Sequence, residues 1–385
     1  MTALASTPQE QISLLIGTTI EQLDITDDDF DIAERCYQDL GAHLSEASAD
    51  VYVQGSFLLG TVVRPHTGHG EYDLDLVAKL NVAKTSISQK ELKERVGGLL
   101  ADYQDTHDGQ ACLSPHDLTP GRRSWCLHYD GFHMDVLPCI PDTDAKSETA
   151  IELTDTQLTY WQKSDPQAYV NWFRKQCARQ FFEKSIELSH RYGSVDNVPK
   201  HRVRTPLHRV VQILKRHRDI YFADDLDDRP PSSLITTLAA KSYSGEQDLV
   251  TATLLAVQRM PDHVEKRNGQ YWVENPACEG ENFADKWNDY PDRRRKFEDW
   301  RADVEHDLTG LLREDGGTLL VHARLTEAFG TEPVTKAIKE LGQRANTARQ
   351  NGDVHFTPGG LLVPAATTMS TKVTDHRNYG VPTPR

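Results

Sequence analysis

Three aspartates in strand-like surroundings are the residues of this chain best placed to do chemistry. Tyr72-Asp73-Leu74-Asp75-Leu76-Val77 alternates acid with apolar side chain. In an extended strand Asp73 and Asp75 therefore share one face, and Tyr72, Leu74, Leu76 and Ala78 share the other. Asp135 stands alone in a second apolar run, Phe132 to Ile140. With the two runs neighbours in one sheet, the three carboxylates converge and repel. Hard divalent cations relieve such repulsion, and Mg2+ takes oxygen ligands completed by phosphates and water. Two such ions about 3.5–4 Å apart can stabilise the attacking and leaving oxygens of an in-line displacement. Upstream, Gln54-Gly55-Ser56 supplies a turn. Gly55 lets the backbone approach a phosphate without a Cβ clash. Ser56 offers a hydroxyl and an N–H at the start of a short helix expected over 57–63, an end that favours anions. A Gly-Ser pair alone is ordinarily a turn, and an Asp-x-Asp alone is ordinarily a solvated strand face. Their order, with Asp135 inside an apolar strand, points to a nucleotidyltransferase.

The segments Gln54-Gly55-Ser56-Phe57-Leu58-Leu59-Gly60-Thr61-Val62-Val63-Arg64-Pro65 and Glu71-Tyr72-Asp73-Leu74-Asp75-Leu76-Val77 resemble the bacterial cGAS/DncV-like nucleotidyltransferases, the CD-NTases of the polymerase-β-like superfamily. The likeness runs through most of residues 30 to 345. It implies an α+β fold: a catalytic lobe with a mixed, mostly antiparallel sheet, and a C-terminal helical lobe like that of the oligoadenylate synthases. It gives Asp73, Asp75 and Asp135 the binding of two Mg2+ ions, with Mn2+ as a possible substitute. Asp135 is the acid it credits with activating the attacking ribose hydroxyl. It places a triphosphate-binding Lys and Ser in the helical lobe, here Lys215 and Ser233, with Ser232 as competitor. The implied activity is synthesis of a cyclic di- or trinucleotide from ATP- or GTP-type substrates, a second messenger in anti-phage defence. Some members are joined through a C-terminal glycine to other molecules by ubiquitin-transfer-like enzymes of the same operon. The Gly380 region resembles such an end, although five residues follow it, so conjugation there requires trimming.

These residues need elements to hold them. A helix over 30–49 carries Ile32, Ala33, Cys36, Leu40 and Leu44 at helical spacing and, by the resemblance, spans both lobes. It leads to a strand at 51–53. A helix over 88–105 opens on the Ser88/Glu91 capping pattern and is weakened by Gly97-Gly98, and 106–122 reads as a loop. Arg123 to Tyr129 pairs with the run holding Asp135 through the turn Asp130-Gly131. After a crossing at 141–147 the chain turns helical. One helix starts at Asp165-Pro166 and carries Tyr169, Trp172, Phe173, Phe181 and Phe182 as packing residues. Thr205-Pro206 starts another that runs to about Phe222. An acidic loop follows at 224–228, then helices from Pro230-Pro231-Ser232-Ser233 and over 246–260, 291–314 and 333–349. Phe283 and Trp287, four apart, should pack together on one helical face. The expected lobes are 1–145 and 146–350, with a loosely held tail at 351–385.

Within the second lobe, Lys215-Arg216-His217-Arg218 has the ordinary reading of a solvated basic face. Lys215, however, adjoins the stripe Leu207, Val210, Val211, Leu214, at the border between packed face and cleft.

Composition narrows the classes. The 385 residues, 38% hydrophobic, suffice for one two-lobed body or two domains. No apolar run approaches the roughly 20 residues of a membrane helix, and no secretory signal is visible, so the expected place is the cytoplasm. A net charge of −15 argues against a general nucleic-acid binder. The partners expected are nucleoside triphosphates. The six cysteines contain no C-x-x-C pair and read as reduced thiols. Cys112, Cys126, His128 and Cys139 are too irregularly spaced to compose a zinc site. Two other activities use the same acids or the same fold: template-independent RNA tailing, which the charge disfavours, and silent nucleotide sensing, which retention of all three acids disfavours.

Overall fold

The computed structural model describes residues 8–65, 71–107, 114–154, 160–195, 202–313 and 317–351, with the pairs 355–356, 362–363 and 371–372. Internal contacts gather residues 23–306 into one unit, and the residues up to 22 with those from 307 into another.

In the smaller unit, α1 (Pro8–Glu21) buries Ile12, Ile16 and Ile20, one helical turn apart. The larger unit begins with α2 (Asp27–Glu46), which starts earlier than the apolar spacing indicated because Thr26 and Asp29 form a reciprocal cap. Its buried stripe, Ala33, Cys36, Leu40 and Leu44, is the expected one. Then come β1 (Ala49–Val53) and α3 (Gly55–Leu59), a single turn stopped by Gly60 at φ +71°. α3 thus lies two residues earlier than the helix expected over 57–63.

β2 (Tyr72–Leu80) follows, then α4 (Gln89–His107), whose Ser88/Glu91 cap forms as expected. Gly97 has a packing reason inside α4: a Cβ there would strike the indole of Trp125. The stretch read as loop holds β3 (Asp117–Pro120), which pairs with β4 (Trp125–Tyr129). With only Leu118 apolar, β3 has no alternation to announce it. β5 (Phe132–Pro141) returns through Asp130-Gly131 as expected. The chain then makes two more short strands, β6 (Ile151–Leu153) and β7 (Gln162–Ser164), where helix was anticipated.

The sheet order is β1-β2-β5-β4-β3, with β6 on β5 and β7 on β6. β2 and β5 run parallel and the other pairs antiparallel, so the sheet is mixed and mostly antiparallel. One face carries Tyr72, Leu74, Leu76, Ala78, Phe132, Met134 and Val136 into a core shared with α2 and α4. The alternation that buries this face turns the acids of β2 and β5 to the other.

The rest of the larger unit is mainly helical. α5 (Pro166–Gln176) and α6 (Ala178–Tyr192) replace the single helix expected from 165, because Cys177 leaves helical backbone at φ −129°. Phe182 is exposed, so it is not core packing. α7 (Pro206–Tyr221) has the Thr205 cap and Pro at its first position, as the sequence indicated. α8 (Ser232–Ser242), α9 (Leu249–Arg259), the hairpin β8 (Glu265–Arg267) and β9 (Gln270–Trp272), the short α10 (Lys286–Asp289) and α11 (Pro291–Arg313) complete the run.

In the smaller unit α12 (Gly317–Phe329) fills a gap between expected helices, and α13 (Thr331–Gln350) packs with it and with α1. Within the stretch read as tail, β10 (His355–Phe356) pairs with β11 (Leu362–Val363) and β12 (Thr371–Lys372). Cys112 and the Gly380 region lie outside the described residues. No described helix is long and apolar enough to cross a membrane.

Candidate active site

Parallel pairing of β2 with β5 sets the acid wall. Asp73 stands opposite His133, and Asp75 opposite Asp135, all four on the face away from the core. Ligand atoms of Asp73, His133 and Asp135 lie within 4.8 Å of one another. Asp75 stands outside this set of three. Its carboxylate lies against Gly55, where a Cβ would overlap it, and Gly55 is left-handed at φ +63°. The Gln54 N–H donates to the Asp75 carbonyl over 2.8 Å. Glycine is thus required at residue 55 on two counts, and the sequence reading supplied neither: left-handed backbone, and room for the acid behind it.

Charge is under tension here. Burial, then Asp73 and Asp135, push the Asp75 carboxyl up to about 8, with Lys215 opposing. Asp73 is raised too, by burial first and Asp135 also, while His133 pulls it down. Half of the Asp73 side chain remains open to the cleft. Cys126, opposite Asp135 on β4, is pushed up to about 12 by burial and then by Asp135, and so stays a thiol. Oxygen donors this close, unable to ionise together, fit a divalent cation.

The facing wall comes from α7. Lys215, Arg216, His217 and Arg218 are all buried, at 7% exposure or less, which corrects the reading of this run as a solvated face. The cause is the irregular segment after α3. Its carbonyls have no ladder, so α7 supplies the donors: Lys215 to Thr61 at 3.1 Å, Gln212 to Val62 at 2.8 Å, Arg216 to Arg64 at 2.8 Å. Burial and then Arg218 lower the Lys215 ammonium to about 8, against the pull of Asp219, Asp73 and Asp75.

Between the walls is a cleft of about 660 Å³. It brings together Gln54, Gly55, Ser56, Asp73, Asp75, Lys215, Ser232 and Ser233. Asp135 sits at its edge, behind Asp73 and His133. Ser232 does not cap α8, as was one expectation. Pro231 holds the cap position, and the Ser232 hydroxyl accepts from Arg218 at 2.9 Å.

Several lining residues escaped the sequence reading. His133 shares its strand face with Asp135, so the same alternation could have found it. Arg218 is held by Asp219 at 2.6 Å and the Pro230 carbonyl at 3.1 Å. Tyr169, Asn275, Glu281 and Phe283 line the cleft from three separate segments. Tyr169 bonds Thr237 at 2.8 Å and meets Phe283 edge-on at 6.0 Å. Phe283 and Trp287 therefore do not form the helical pair expected of them. Phe283 precedes α10, and Trp287 packs on Phe297 at 5.0 Å.

A mixed sheet presenting acids from two parallel neighbours, faced by buried cations on a helix, is the architecture of a polymerase-β-like nucleotidyltransferase. The comparisons agree. Residues 18–176 match the family described as the Second Messenger Oligonucleotide or Dinucleotide Synthetase domain. A c-di-GMP synthase of Roseivirga ehrenbergii is 27% identical over 86% of this chain and 85% of its own length. The cyclic dinucleotide synthase CdnG of Bradyrhizobium diazoefficiens is 25% identical over 88% of this chain and 83% of its own. The structure of that CdnG with GTP superposes with a TM-score of 0.66 at 18% identity, over 86% of this chain and 99% of CdnG, which speaks to the fold. The chain belongs to the bacterial CD-NTases, the nucleotidyltransferases that make cyclic oligonucleotides.

Proposed function

We propose that this chain, in the cytoplasm, joins two nucleoside triphosphates, GTP among them, into a cyclic dinucleotide messenger. One observation carries the reading: Asp73 and Asp75 on β2, with Asp135 at their edge, face Lys215 of α7 across a single cleft. Bound at the carboxylates, two divalent cations, Mg2+ or in its place Mn2+, would neutralise them and stabilise charge on the reacting phosphate. Lys215, with Ser56 and Ser233 beside the cleft, holds the triphosphate so that the α-phosphorus faces the acids. Asp135 takes the proton of the acceptor ribose hydroxyl as its oxygen bonds to the α-phosphorus. The α–β phosphoanhydride bond breaks, and pyrophosphate leaves on the Lys215 and Arg218 side. A second transfer within the linear product closes the ring.

The relatives' names bring guanine: one is a c-di-GMP synthase, and CdnG was solved with GTP. Glu281 supports guanine here. It lines the cleft beside Asn275, whose amide donates to it at 2.7 Å, and Phe283 offers an aromatic face nearby. Guanine presents N1–H and N2–H2 as adjacent donors for one carboxylate, and adenine has no such pair. Beyond nucleotides, the expected partners are defence-operon proteins acting on the C-terminal tail.

The test is mass spectrometry of products from all four ribonucleotides. A phosphatase-resistant cyclic dinucleotide containing guanine is expected. Extension of an RNA primer, or tight nucleotide binding without pyrophosphate release, overturns the proposal.

A further inference from the structure

The acid wall holds a fourth group that the carboxylate chemistry does not use. His133 lies opposite Asp73 and two residues before Asp135 on the same strand face. Its Nε2 is 3.5 Å from Asp73 Oδ1, and with Asp135 the three ligand atoms fall within 4.8 Å of one another. Its Nδ1 is turned the other way, 3.3 Å from Glu71 Oε2. Glu71 in turn lies 3.5 Å from Nδ1 of His128, whose Nε2 meets the Thr119 hydroxyl at 3.0 Å. A carboxylate on one ring nitrogen, with the other aimed at two acids beside an open cleft, is how proteins orient a metal-ligating histidine.

We propose that His133 Nε2 is a ligand to the cation held by Asp73 and Asp135, with Glu71 as its positioning residue, and that this position favours Mn2+ over Mg2+. Donor chemistry sets the preference. Carboxylates serve Mg2+ and Mn2+ alike, whereas imidazole nitrogen strengthens binding of the transition ion and adds little for Mg2+. The inference rests on the metal reading of the acid wall.

The experiment is pulsed EPR of the full-length protein loaded with Mn2+, together with competition between Mn2+ and Mg2+ followed by the free-Mn2+ signal. Wild type should show coupling to a directly bound 14N. His133→Asn should lose that coupling and cut the Mn2+ over Mg2+ preference roughly tenfold, with Mg2+ affinity changed less than about threefold. Glu71→Gln should keep the coupling while weakening Mn2+ about tenfold or more. His128→Asn should keep it as well. Circular dichroism of each variant confirms folding. Bound Mn2+ without nitrogen coupling in wild type, or coupling that survives His133→Asn, overturns the proposal while leaving the acids as the site. Absence of any Mn2+ binding at this wall defeats the metal reading itself.

Discussion

The two walls of the cleft are built on opposite principles. The acid wall is put together by strand pairing alone. Register between β2 and β5 forces Asp73, Asp75 and Asp135 together, and nothing in the protein relieves the crowding except distant Lys215. The cation wall is stitched instead. Every buried polar side chain of α7 that reaches the segment after α3 closes a hydrogen bond to its backbone. One wall is thus strained until something positive arrives, and the other is satisfied beforehand. Stability and function should part company at the first and travel together at the second.

The sharpest way to break this contrast is Asp75→Asn. Synthesis should fall at least about a thousandfold, since an acid aimed at the reacting phosphate is gone. The protein without cation should nevertheless melt roughly 2 °C or more higher at pH 8.5, because burial and two like charges no longer oppose ionisation there. Lower melting with lost activity would place Asp75 among ordinary structural residues. Lys215→Met is the counterpart on the other wall. It should cost about a hundredfold in kcat/KM and also destabilise by about 1–3 kcal/mol, because the Thr61 carbonyl is left buried and unmet. Destabilisation seen in urea titration without loss of turnover would confine Lys215 to the scaffold.

The smallest effect concerns the foot of α7. His208 is wholly buried, its Nδ1 2.6 Å from the Thr205 hydroxyl. Burial first, then Arg204 and Arg209, lower its imidazole to about 3. A depressed base binds fewer protons folded than unfolded. Its stabilising effect is therefore whole above the unfolded value near 6.5 and is lost as the pH falls toward 3. Between pH 6.5 and pH 5 that is about 2 kcal/mol. His208→Gln keeps a capping partner for Thr205 and should flatten this acid-side slope. An unchanged slope in denaturant titrations at the two pH values would show that the slope comes from other groups.

Legibility followed the same division. Period-two alternation announces Asp73, Asp75 and Asp135 because strand neighbours on one face are fixed by counting, and Asp130-Gly131 declares the hairpin that positions the third. His133 was within reach of the same count. The function of Gly55 was visible only in part, since a phosphate was inferred in front of it and not the acid behind it. The basic run of α7 was misread because its partners are main-chain carbonyls some 150 residues earlier, which carry no side-chain signature. Tyr169, Asn275, Glu281 and Phe283 were illegible for a similar reason: three segments, none periodic, meet only after folding. β3, β6 and β7 were missed because strands of three or four residues hold too few apolar positions to alternate.

The stitching of α7 to residues 61–64 has a practical consequence for recombination. A chimera joined at residue 146, taking the sheet from this chain and the helices from a relative, would cut no regular element yet would leave three carbonyls facing foreign side chains. Hybrids that carry 61–64 and 205–221 from the same parent should express, and those that split them should precipitate.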